Sequence, residues 1–282
     1  MANASIHLNI TSLDSHDRSF FYGDGCFTTM YADNHKIFLL EQHLARLSGD
    51  SSKLYISIDN WPELQERLET LLINITSPHV VKVLVSRGVG GRGYSPKACD
   101  SPSIYIYTYP ITLNNCDLNK SALSVGIADI ELADQAQLAG LKHNSRLEQV
   151  LAKQELLSMH EDGLTFDDLL LLDTSQHVIE ASSANIFYQL NDIWYTPQLN
   201  KQGVAGVMRD FVMDTMKAAG IECQVALHHI DELKRVNAAF ICNAVQLIQP
   251  LKSVCINSQE HEISETASRD IFKLILDALF RV

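Results

Sequence analysis

The alternation of apolar and polar residues predicts both helices and strands along the chain. In an α-helix, apolar residues recur about every 3.6 residues, whereas strands are shorter runs rich in β-branched and aromatic residues. The first predicted helix covers 39–47, the second opens at Pro62 and runs to Ile75, and the third begins past Lys142 with apolar residues from Leu147 and ends near Gly163. The fourth carries apolar residues from Met208 to Met216 and stops at Gly220, and the last covers 271–280. The predicted strands cover 27–31, 80–86, 103–109, 124–128, 168–173, 178–188 and 236–242.

Strands interleaved with helices predict a mixed α/β fold. The segment 111–121 is polar, rich in Asn and poor in strand-forming residues, so we place a domain boundary there. The prediction is an N-terminal α/β domain at 1–112 and a C-terminal α/β domain at 113–282. A chain of 282 residues is long enough for two domains that each bury a core.

Composition narrows the class of protein. The chain is 46% hydrophobic and 20% charged, as in a globular protein, and its formal net charge of -12 argues against nucleic acid or an anionic membrane as partner. No basic segment followed by an apolar one marks the amino terminus, and no apolar stretch reaches membrane-spanning length, so we expect a cytoplasmic protein. The 6 cysteines are scattered, and His228 and His229 are the only close histidine pair, so neither disulfides nor a metal site is predicted.

Two residues stand out as candidates for chemistry. Lys142 follows the small-residue turn at Gly140 and precedes the helix predicted at 147–157. It is either a solvated surface lysine or an amine held at a fixed point for use as a nucleophile. Glu180 lies in the predicted strand 178–188 beside small residues. It is either an edge-strand carboxylate facing water or a partner for a flat ligand.

Several stretches could meet an anion. The glycine-rich stretch 87–96 is either a mobile surface loop or a loop that approaches an anion closely. Glycines precede the helix 208–216, whose first N–H groups suit a phosphate, although many ordinary helices begin in this way. The turn at 243–246 is a second candidate. An arginine such as Arg46 is most often a solvated helix residue, and half-buried strand threonines such as Thr28 and Thr29 are usually structural, although this strand start could place either threonine near a ligand.

Together, these candidates match the requirements of pyridoxal 5'-phosphate. This cofactor needs an amine for covalent attachment, an acid partner for its pyridine nitrogen and a cradle for its phosphate. Lys142, Glu180 and the helix start near 208 would supply the three.

The order of the sequence blocks resembles the fold-type IV pyridoxal-phosphate enzymes, a group that includes branched-chain and D-amino acid aminotransferases and aminodeoxychorismate lyases. Within the group, the chain looks most like the lyases. The resemblance implies a fold like that of D-amino acid aminotransferase, with the cofactor between two domains, and a homodimer in which the neighbouring subunit contributes a loop to the site. The blocks that carry the resemblance are 22–29, 43–47, 86–95, 138–151, 180–187 and 203–209.

The resemblance also implies roles for individual residues. Lys142 would hold the cofactor covalently, and Glu180 would pair with its ring nitrogen. Lys142, Thr28 or Thr29 would give a proton to the leaving group. The phosphate would be met by Arg46, by the backbone of Val207 and Met208 and by the turn at Asn243 and Ala244. Beyond the resemblance, the carboxylates of a substrate would need cationic or polar partners, for which the candidates in this chain are Arg92, Arg87, Tyr94 and Arg209.

The resemblance implies an enzyme and leaves two reactions open, beside a third alternative. The first is a carbon–oxygen lyase that converts 4-amino-4-deoxychorismate, a small dicarboxylate, to 4-aminobenzoate and pyruvate for folate synthesis. The second is an aminotransferase of the same fold, against which Leu147 argues, because the branched-chain aminotransferases carry a Tyr there. The third is a binding protein without catalysis. Two further departures are Ala244, where those relatives have a hydroxyl residue, and Ser145, where family lyases commonly have Asn.

Overall fold

The computed structural model describes residues 2–112 and 117–280, which form two compact units. Unit 1 contains 2–112 and 141–145, and unit 2 contains 117–140 and 146–280. The predicted domain boundary after residue 112 lies directly before residues 113–116, which are outside the described residues and include Cys116. The division at that position therefore stays a prediction. The segment Leu141–Ser145 belongs to unit 1 although both of its flanks belong to unit 2.

Unit 1 is built on a five-stranded sheet. Its elements are β1 (Ser5–Leu8), α1 (Arg18–Tyr22), β2 (Gly25–Asp33), β3 (Lys36–Ile37), α2 (Leu40–Lys53), α3 (Trp61–Leu72), β4 (His79–Ser86) and β5 (Ser103–Pro110). The strand order is β1-β5-β4-β2-β3, with β1 and β5 parallel and the other neighbours antiparallel.

The two faces of this sheet differ in chemistry. Successive side chains of a strand point to opposite faces, so alternate residues share an environment. One face forms a core with α2 and α3, to which the strands contribute Cys26, Met30, Ala32, Val81, Val83, Val85, Ile104 and Ile106. The opposite face carries the half-buried side chains of Phe27, Thr29, Lys82 and Tyr107. It therefore offers both charge and aromatic surface.

Unit 2 is built on a nine-stranded sheet. Its elements are β6 (Leu123–Ile127), α4 (Leu147–Glu161), β7 (Asp168–Leu172), β8 (Val178–Ala181), β9 (Ala184–Leu190), β10 (Ile193–Thr196), α5 (Val207–Ala218), β11 (Cys223–Val225), a 3-10 helix (Ile230–Arg235), β12 (Ala238–Asn243), β13 (Leu247–Ile256), β14 (Gln259–Glu262) and α6 (Thr266–Phe280). The order is β11-β10-β9-β12-β13-β6-β7-β8, with β14 beside β13, and pairing of β8 with β9 closes a ring.

The five predicted helices are present as α2 to α6, and the predicted strands are present with one correction. The single strand predicted at 178–188 is wrong: β8 ends at Ala181, β9 begins at Ala184, and the two strands pair with each other. The small residues Ser182 and Ser183 form the tight turn, and Ser182 N donates to Leu169 O at 3.0 Å. The short elements α1, β1, β3, β10, β11 and β14 and the long strand β13 were not predicted from the sequence.

Helix α4 differs from its predicted pattern in burial. Of its apolar residues, Leu147, Val150, Leu151 and Leu157 are exposed, whereas Ala152 and Leu156 are buried. The amphipathic spacing therefore predicts the helix correctly. It does not predict that most of the apolar side chains along the helix are exposed in the single chain. None of the helices within 2–112 and 117–280 combines the length and apolarity needed to cross a membrane.

Candidate active site

Lys142 lies in a segment that pairs with the beginning of β2. Phe27 N donates to Lys142 O at 2.9 Å, and Asn144 N donates to Gly25 O at 2.9 Å. From the other side, Lys142 N donates to Asp50 Oδ2 of α2 at 3.1 Å. Backbone hydrogen bonds on both sides therefore fix the Cα from which the lysine side chain starts.

The amine of Lys142 lies against an aromatic ring. Its Nζ is 4.8 Å from the centroid of the Phe27 ring, and the side chain is half-buried. The adjoining Asn144 is anchored as well, because its Nδ2 donates to Ser19 Oγ and to Val85 O at 3.3 Å. Asn144 thus holds the lysine segment in place.

A buried polar cluster lies on the core face of β2. Thr28 Oγ1 is 2.6 Å from His43 Nδ1 and also accepts a hydrogen bond from Arg46, which reaches Phe27 O at 3.5 Å. Burial, followed by the positive charges of Arg46 and Lys142, holds the pKa of His43 well below its ordinary value of 6.5. His43 is therefore neutral near pH 7. The half-buried Thr29 projects from the opposite face of the strand.

The glycine-rich loop after β4 is anchored by a residue that the sequence did not single out. Arg18 is buried, and its guanidinium donates to the carbonyls of Gly93, Tyr94 and Ser95 at 3.1 to 3.2 Å. The side chains of Arg92 and Tyr94 are exposed on this loop. Hydrogen bonds from Arg18 thus hold the backbone of the loop in place. A mobile surface loop, the other interpretation of this stretch, would lack such contacts.

Arg87 has a different environment from Arg92. Its Nε and one terminal nitrogen donate to Asp24 at 2.8 and 2.9 Å, and its terminal nitrogens also donate to Tyr55 O and Leu54 O. Asp24 is shared with Arg18, whose Nε donates to it at 2.8 Å. Since each guanidinium nitrogen of Arg87 has a protein acceptor, this residue is placed as part of an ion-pair network.

Unit 2 contains the predicted carboxylate in a buried position. Glu180 is 4% exposed, its Oε2 accepts a hydrogen bond from Val204 N at 2.8 Å, and its Oε1 accepts one from Gln149 Nε2 at 3.3 Å. A side chain at Gly203 would place Cβ 3.4 Å from Oε2 and 2.6 Å from Leu199 Cδ2. The alternative of an edge-strand carboxylate facing water is therefore wrong, because β8 is paired on both sides.

The start of α5 follows Glu180 in the same unit. Helix α5 begins at Val207 after Gly206, and no side chain caps its first turn. The first N–H groups of a helix have no acceptor within the helix, so the amides of Val207 and Met208 can donate to an anion. Asn185 supports this start, because its Nδ2 donates to Val204 O at 2.7 Å.

Arg209, on the same helix, is tied to protein acceptors. It is buried, and it donates to Thr196 Oγ1 at 3.2 Å, to Pro197 O at 3.0 Å and to the exposed Asp210 at 3.4 Å. All of its guanidinium nitrogens are thereby occupied. Arg209 therefore has a structural role, because its hydrogen bonds join α5 to the end of β10.

The turn after β12 is organised by Asn243 itself. Its Oδ1 accepts hydrogen bonds from Val245 N at 2.9 Å and Gln246 N at 2.7 Å. Those two amides therefore bond to a side chain of the turn. Ala244 adds no side-chain donor, as the sequence predicted.

Each unit, taken by itself, contains donors of a kind that pyridoxal 5'-phosphate requires. Unit 1 supplies an amine on a fixed backbone with a half-buried arginine near it, and unit 2 supplies a buried carboxylate followed by an uncapped helix start. Glu180 is a buried carboxylate whose two oxygens are oriented by hydrogen bonds from Gln149 Nε2 and Val204 N. The set matches an imine-forming aldehyde, a pyridine nitrogen and a phosphate.

Some residues of this region escaped the sequence analysis. Asp50 holds the backbone of Lys142, Asn185 holds the loop before α5, and Gln149 holds Glu180. Each of these contacts joins positions far apart in the chain. A single sequence contains no signal for such long-range pairs. For Arg18 and Asp24, opposite charges six residues apart around a glycine turn were a weak signal that could have been noted.

The fold and these donors define a class of protein. The chain belongs to the amino-transferase class IV family, whose sequence profile matches residues 25–254. This match includes Lys142, Glu180 and the start of α5. The predicted mixed α/β fold of the fold-type IV enzymes is confirmed.

Individual relatives refine the class. The chain is 33% identical over 238 residues to an aminodeoxychorismate lyase from Vibrio harveyi, covering 84% of this chain and 86% of that protein. It superposes on a 4-amino-4-deoxychorismate lyase from Pseudomonas aeruginosa with a TM-score of 0.85 at 30% identity, covering 96% of each chain. A hypothetical aminotransferase from Mycobacterium tuberculosis in a PLP-bound form shares the fold, with a TM-score of 0.80 at 15% identity, covering 97% of this chain and 95% of that one.

Proposed function

We propose that this protein is a PLP-dependent lyase that converts 4-amino-4-deoxychorismate to 4-aminobenzoate and pyruvate, and so serves folate synthesis. The observation that carries the proposal is the likeness, over most of the chain, to two proteins described as lyases of this substrate. The amine of Lys142, held on a fixed backbone inside the family match, supports it.

Residues of both units would hold the cofactor. Lys142 would attach to its aldehyde, and Glu180 would pair with its ring nitrogen. Arg46 and the amides of Val207 and Met208 would meet the phosphate, with the Asn243 and Ala244 turn as a further contact. When bound, PLP supplies an electron sink that lowers the barrier to removing a proton beside the substrate amine.

The chain's own residues would then move the protons. The amine of Lys142 would take the proton from the amine-bearing carbon of the substrate. Loss of the adjacent enolpyruvyl group makes the substrate ring aromatic, which favours elimination over transamination. Lys142 or Thr29 would protonate the leaving group. Thr28 is a weaker candidate for this role, because its hydroxyl is buried against His43 and Arg46.

The substrate carries two carboxylates that need cationic or polar partners. Arg92 and Tyr94 are exposed on the anchored loop after β4 and can turn toward a ligand. Arg87 and Arg209 would each have to give up an existing protein acceptor, so we assign them lower priority.

A homodimer in the cytoplasm completes the proposal. The dimer rests on the resemblance to fold-type IV enzymes, and the exposed apolar stripe of α4 supports a protein partner. For the cytoplasm, the support is that Cys26, Cys99, Cys223, Cys242 and Cys255 are free thiols, which suit a reducing compartment.

The test combines absorbance with product analysis. Purified wild-type protein is expected to show the visible band of lysine-bound cofactor and to release 4-aminobenzoate and pyruvate in equal amounts from 4-amino-4-deoxychorismate. Lys142→Ala is expected to lose the band and at least about 1000-fold in kcat, because it removes both the attachment point and the base. Lys153→Ala, which removes another half-exposed lysine that is paired with Asp168, serves as the matched control.

Two outcomes would contradict the proposal. Equal absorbance and activity in wild type and Lys142→Ala would remove Lys142 from the centre of the reaction. A cofactor band that responds only to amino-acid donors, followed by transfer of the amino group to a keto acid, would make the chain an aminotransferase.

A further inference from the structure

The core face of β2 carries one hydroxyl group between residues that fill the core. Cys26, Thr28 and Met30 alternate along this face, and each of them is 0% exposed. Thr28 lies opposite His43 of α2, which is 1% exposed, and its Oγ1 is 2.6 Å from His43 Nδ1. Two polar side chains thus meet beside the apolar core of unit 1. Burying polar groups costs free energy unless each of them has a hydrogen-bond partner.

The partners of Thr28 determine where its proton lies. Arg46 donates to Thr28 Oγ1, so the oxygen is an acceptor in that contact. A hydroxyl has one proton, and a neutral imidazole has one donor and one acceptor nitrogen. If His43 Nδ1 donated to Oγ1, the hydroxyl proton would have no acceptor within 2–112 and 117–280, and Nε2 would be an unmet acceptor. Fewer groups are unmet when Thr28 donates to Nδ1 and His43 carries its proton on Nε2.

Arg46, Thr28 and His43 therefore form a chain of hydrogen bonds that runs in one direction. His43 is neutral, because burial and the positive charges of Arg46 and Lys142 hold its pKa well below 6.5. A hydroxyl that donates to a neutral imidazole is a stronger acceptor for the guanidinium, since hydrogen bonds in a chain polarise one another. The same nitrogen of Arg46, Nη2, also reaches Phe27 O at 3.5 Å. The guanidinium is thereby held against β2.

Packing alone does not account for the pair of Thr28 and His43. His43 Nε2 is buried and has no hydrogen-bond partner within 2–112 and 117–280. Two apolar side chains of similar shape would leave no polar atom unmet at these positions. The pair thus costs free energy that its own hydrogen bond does not fully offset. Buried groups of this kind call for an explanation beyond the core itself.

We infer that Thr28 and His43 are positioning residues that orient Arg46 for the cofactor phosphate. This inference rests on the proposed function, in which Arg46 meets the phosphate, and it assigns to Thr28 and His43 an effect that passes through Arg46. A guanidinium binds phosphate best when its plane is correctly oriented, and an arginine that is already held loses less freedom on binding. Because the proton of Thr28 is given to His43, Thr28 is also excluded as the proton donor to the leaving group.

The experiment compares PLP with pyridoxal, which has the same ring and aldehyde but no phosphate. The Kd of each is measured on the full-length apoprotein from the visible band of the lysine-bound form. The variants are Thr28→Val, Thr28→Ser, His43→Leu and the double variant Thr28→Val with His43→Leu. Ser51→Ala is the matched control, because Ser51 lies on the same helix and its hydroxyl contacts Cys26 of the same strand face at 3.4 Å.

The expected result is a selective loss of affinity for PLP. Thr28→Val should raise the Kd for PLP about 10-fold, as expected when a hydrogen bond to a charged group is lost, and the Kd for pyridoxal by about twofold or less. His43→Leu should raise the Kd for PLP about threefold or more in the same selective way. The double variant should bind PLP no more weakly than Thr28→Val, because both changes act through Arg46. Thr28→Ser, which keeps the hydroxyl, and Ser51→Ala should match wild type.

A purely structural role predicts a different pattern. Equal weakening of PLP and pyridoxal in Thr28→Val, or an unchanged Kd for PLP in both single variants, would overturn the inference. The double variant keeps this test decisive if a single variant unfolds, because it removes both polar partners together and should unfold near the wild-type temperature.

The failure of the proposed function gives separate signals. If Arg46→Gln weakens PLP and pyridoxal equally, Arg46 does not bind the phosphate, and the inference falls with that assignment. If wild type releases no 4-aminobenzoate and pyruvate while the variants lose PLP selectively, the lyase reaction fails and the positioning roles of Thr28 and His43 are supported.

Discussion

At the scale of single residues, buried ion pairs anchor the glycine-rich loop whose exposed side chains we assign to substrate binding. Asp24 receives hydrogen bonds from both Arg18 and Arg87, and Arg18 in turn holds the backbone of the glycine-rich loop. Burial alone would raise the pKa of Asp24, but hydrogen bonds from Arg87 and Arg18, together with their charges, lower it below the ordinary value of 3.8. One carboxylate thus joins α1, β4 and the loop that carries Arg92.

Removing this carboxylate should therefore affect stability and substrate binding together. Asp24→Asn is expected to lower the free energy of unfolding by about 3 kcal/mol at pH 7, because two largely buried guanidinium groups lose their counter-charge. KM should also rise as the loop loosens. Denaturant unfolding and steady-state kinetics measure the two effects, and Asp14→Asn, at an exposed ion pair with His16, should change neither.

The effect should depend on pH in one direction. A carboxylate with a lowered folded-state pKa stabilises the fold fully above the unfolded value, and this contribution is lost as the pH falls through the folded-state pKa. The stability difference between wild type and Asp24→Asn should hence be constant near neutrality and narrow below about pH 3.8. A difference that stays constant down to acid pH would show that the charge of Asp24 contributes nothing.

At the scale of elements, the beginning of α5 depends on close packing rather than on a capping side chain. Gly206 precedes the helix, and a Cβ at this position would lie 2.2 Å from Asn185 Oδ1. Asn185 also bonds to Val204 O, and Val204 N bonds to Glu180. The positions of the helix amides and of the carboxylate are consequently coupled through one short segment.

Gly206→Ala should displace Asn185 and with it the first turn of α5. We expect a loss of about 1 to 3 kcal/mol in stability, as for other overpacked sites, and a Kd for PLP that rises on the order of tenfold. Thermal unfolding and cofactor titration of the apoprotein measure these changes. Gly49→Ala, in open space within α2, is the control and should stabilise by about 0.5 to 1 kcal/mol. An unchanged Kd for PLP in Gly206→Ala would separate this turn from phosphate binding.

At the scale of the whole molecule, the exposed stripe of α4 indicates association. Leu147 is 74% exposed and Leu151 53% exposed, on the helix that directly follows the lysine segment. Large apolar side chains grouped on one helix are usually covered by a partner in solution. A second copy of this chain is the partner that the family resemblance implies.

The protein is expected to have twice the mass of its 31.5 kDa chain in size-exclusion chromatography with light scattering. Leu151→Glu should raise the dimer dissociation constant about 100-fold or more, because dimerisation would then bury an unpaired charge. Leu164→Glu, at an exposed leucine beyond the end of α4, should leave the mass unchanged. A wild-type protein that remains monomeric at high concentration would exclude the proposed dimer.

The sequence by itself determined the helices, most strands, the family and the identity of Lys142 and Glu180 as notable residues. Local periodicity reports on helix and strand because both depend on contacts between near neighbours in the chain. The lysine and glutamate were recognisable because the order of blocks around them is shared with relatives.

Only the tertiary structure decided which charged groups are already paired. The sequence treats Arg87, Arg209 and Arg92 alike as cations, whereas folding gives the first two protein acceptors and leaves the side chain of Arg92 exposed. It also decided that Thr28 faces His43 and that the stripe of α4 is uncovered in one chain. These facts depend on strand register and on contacts between residues far apart in sequence, which local patterns do not encode.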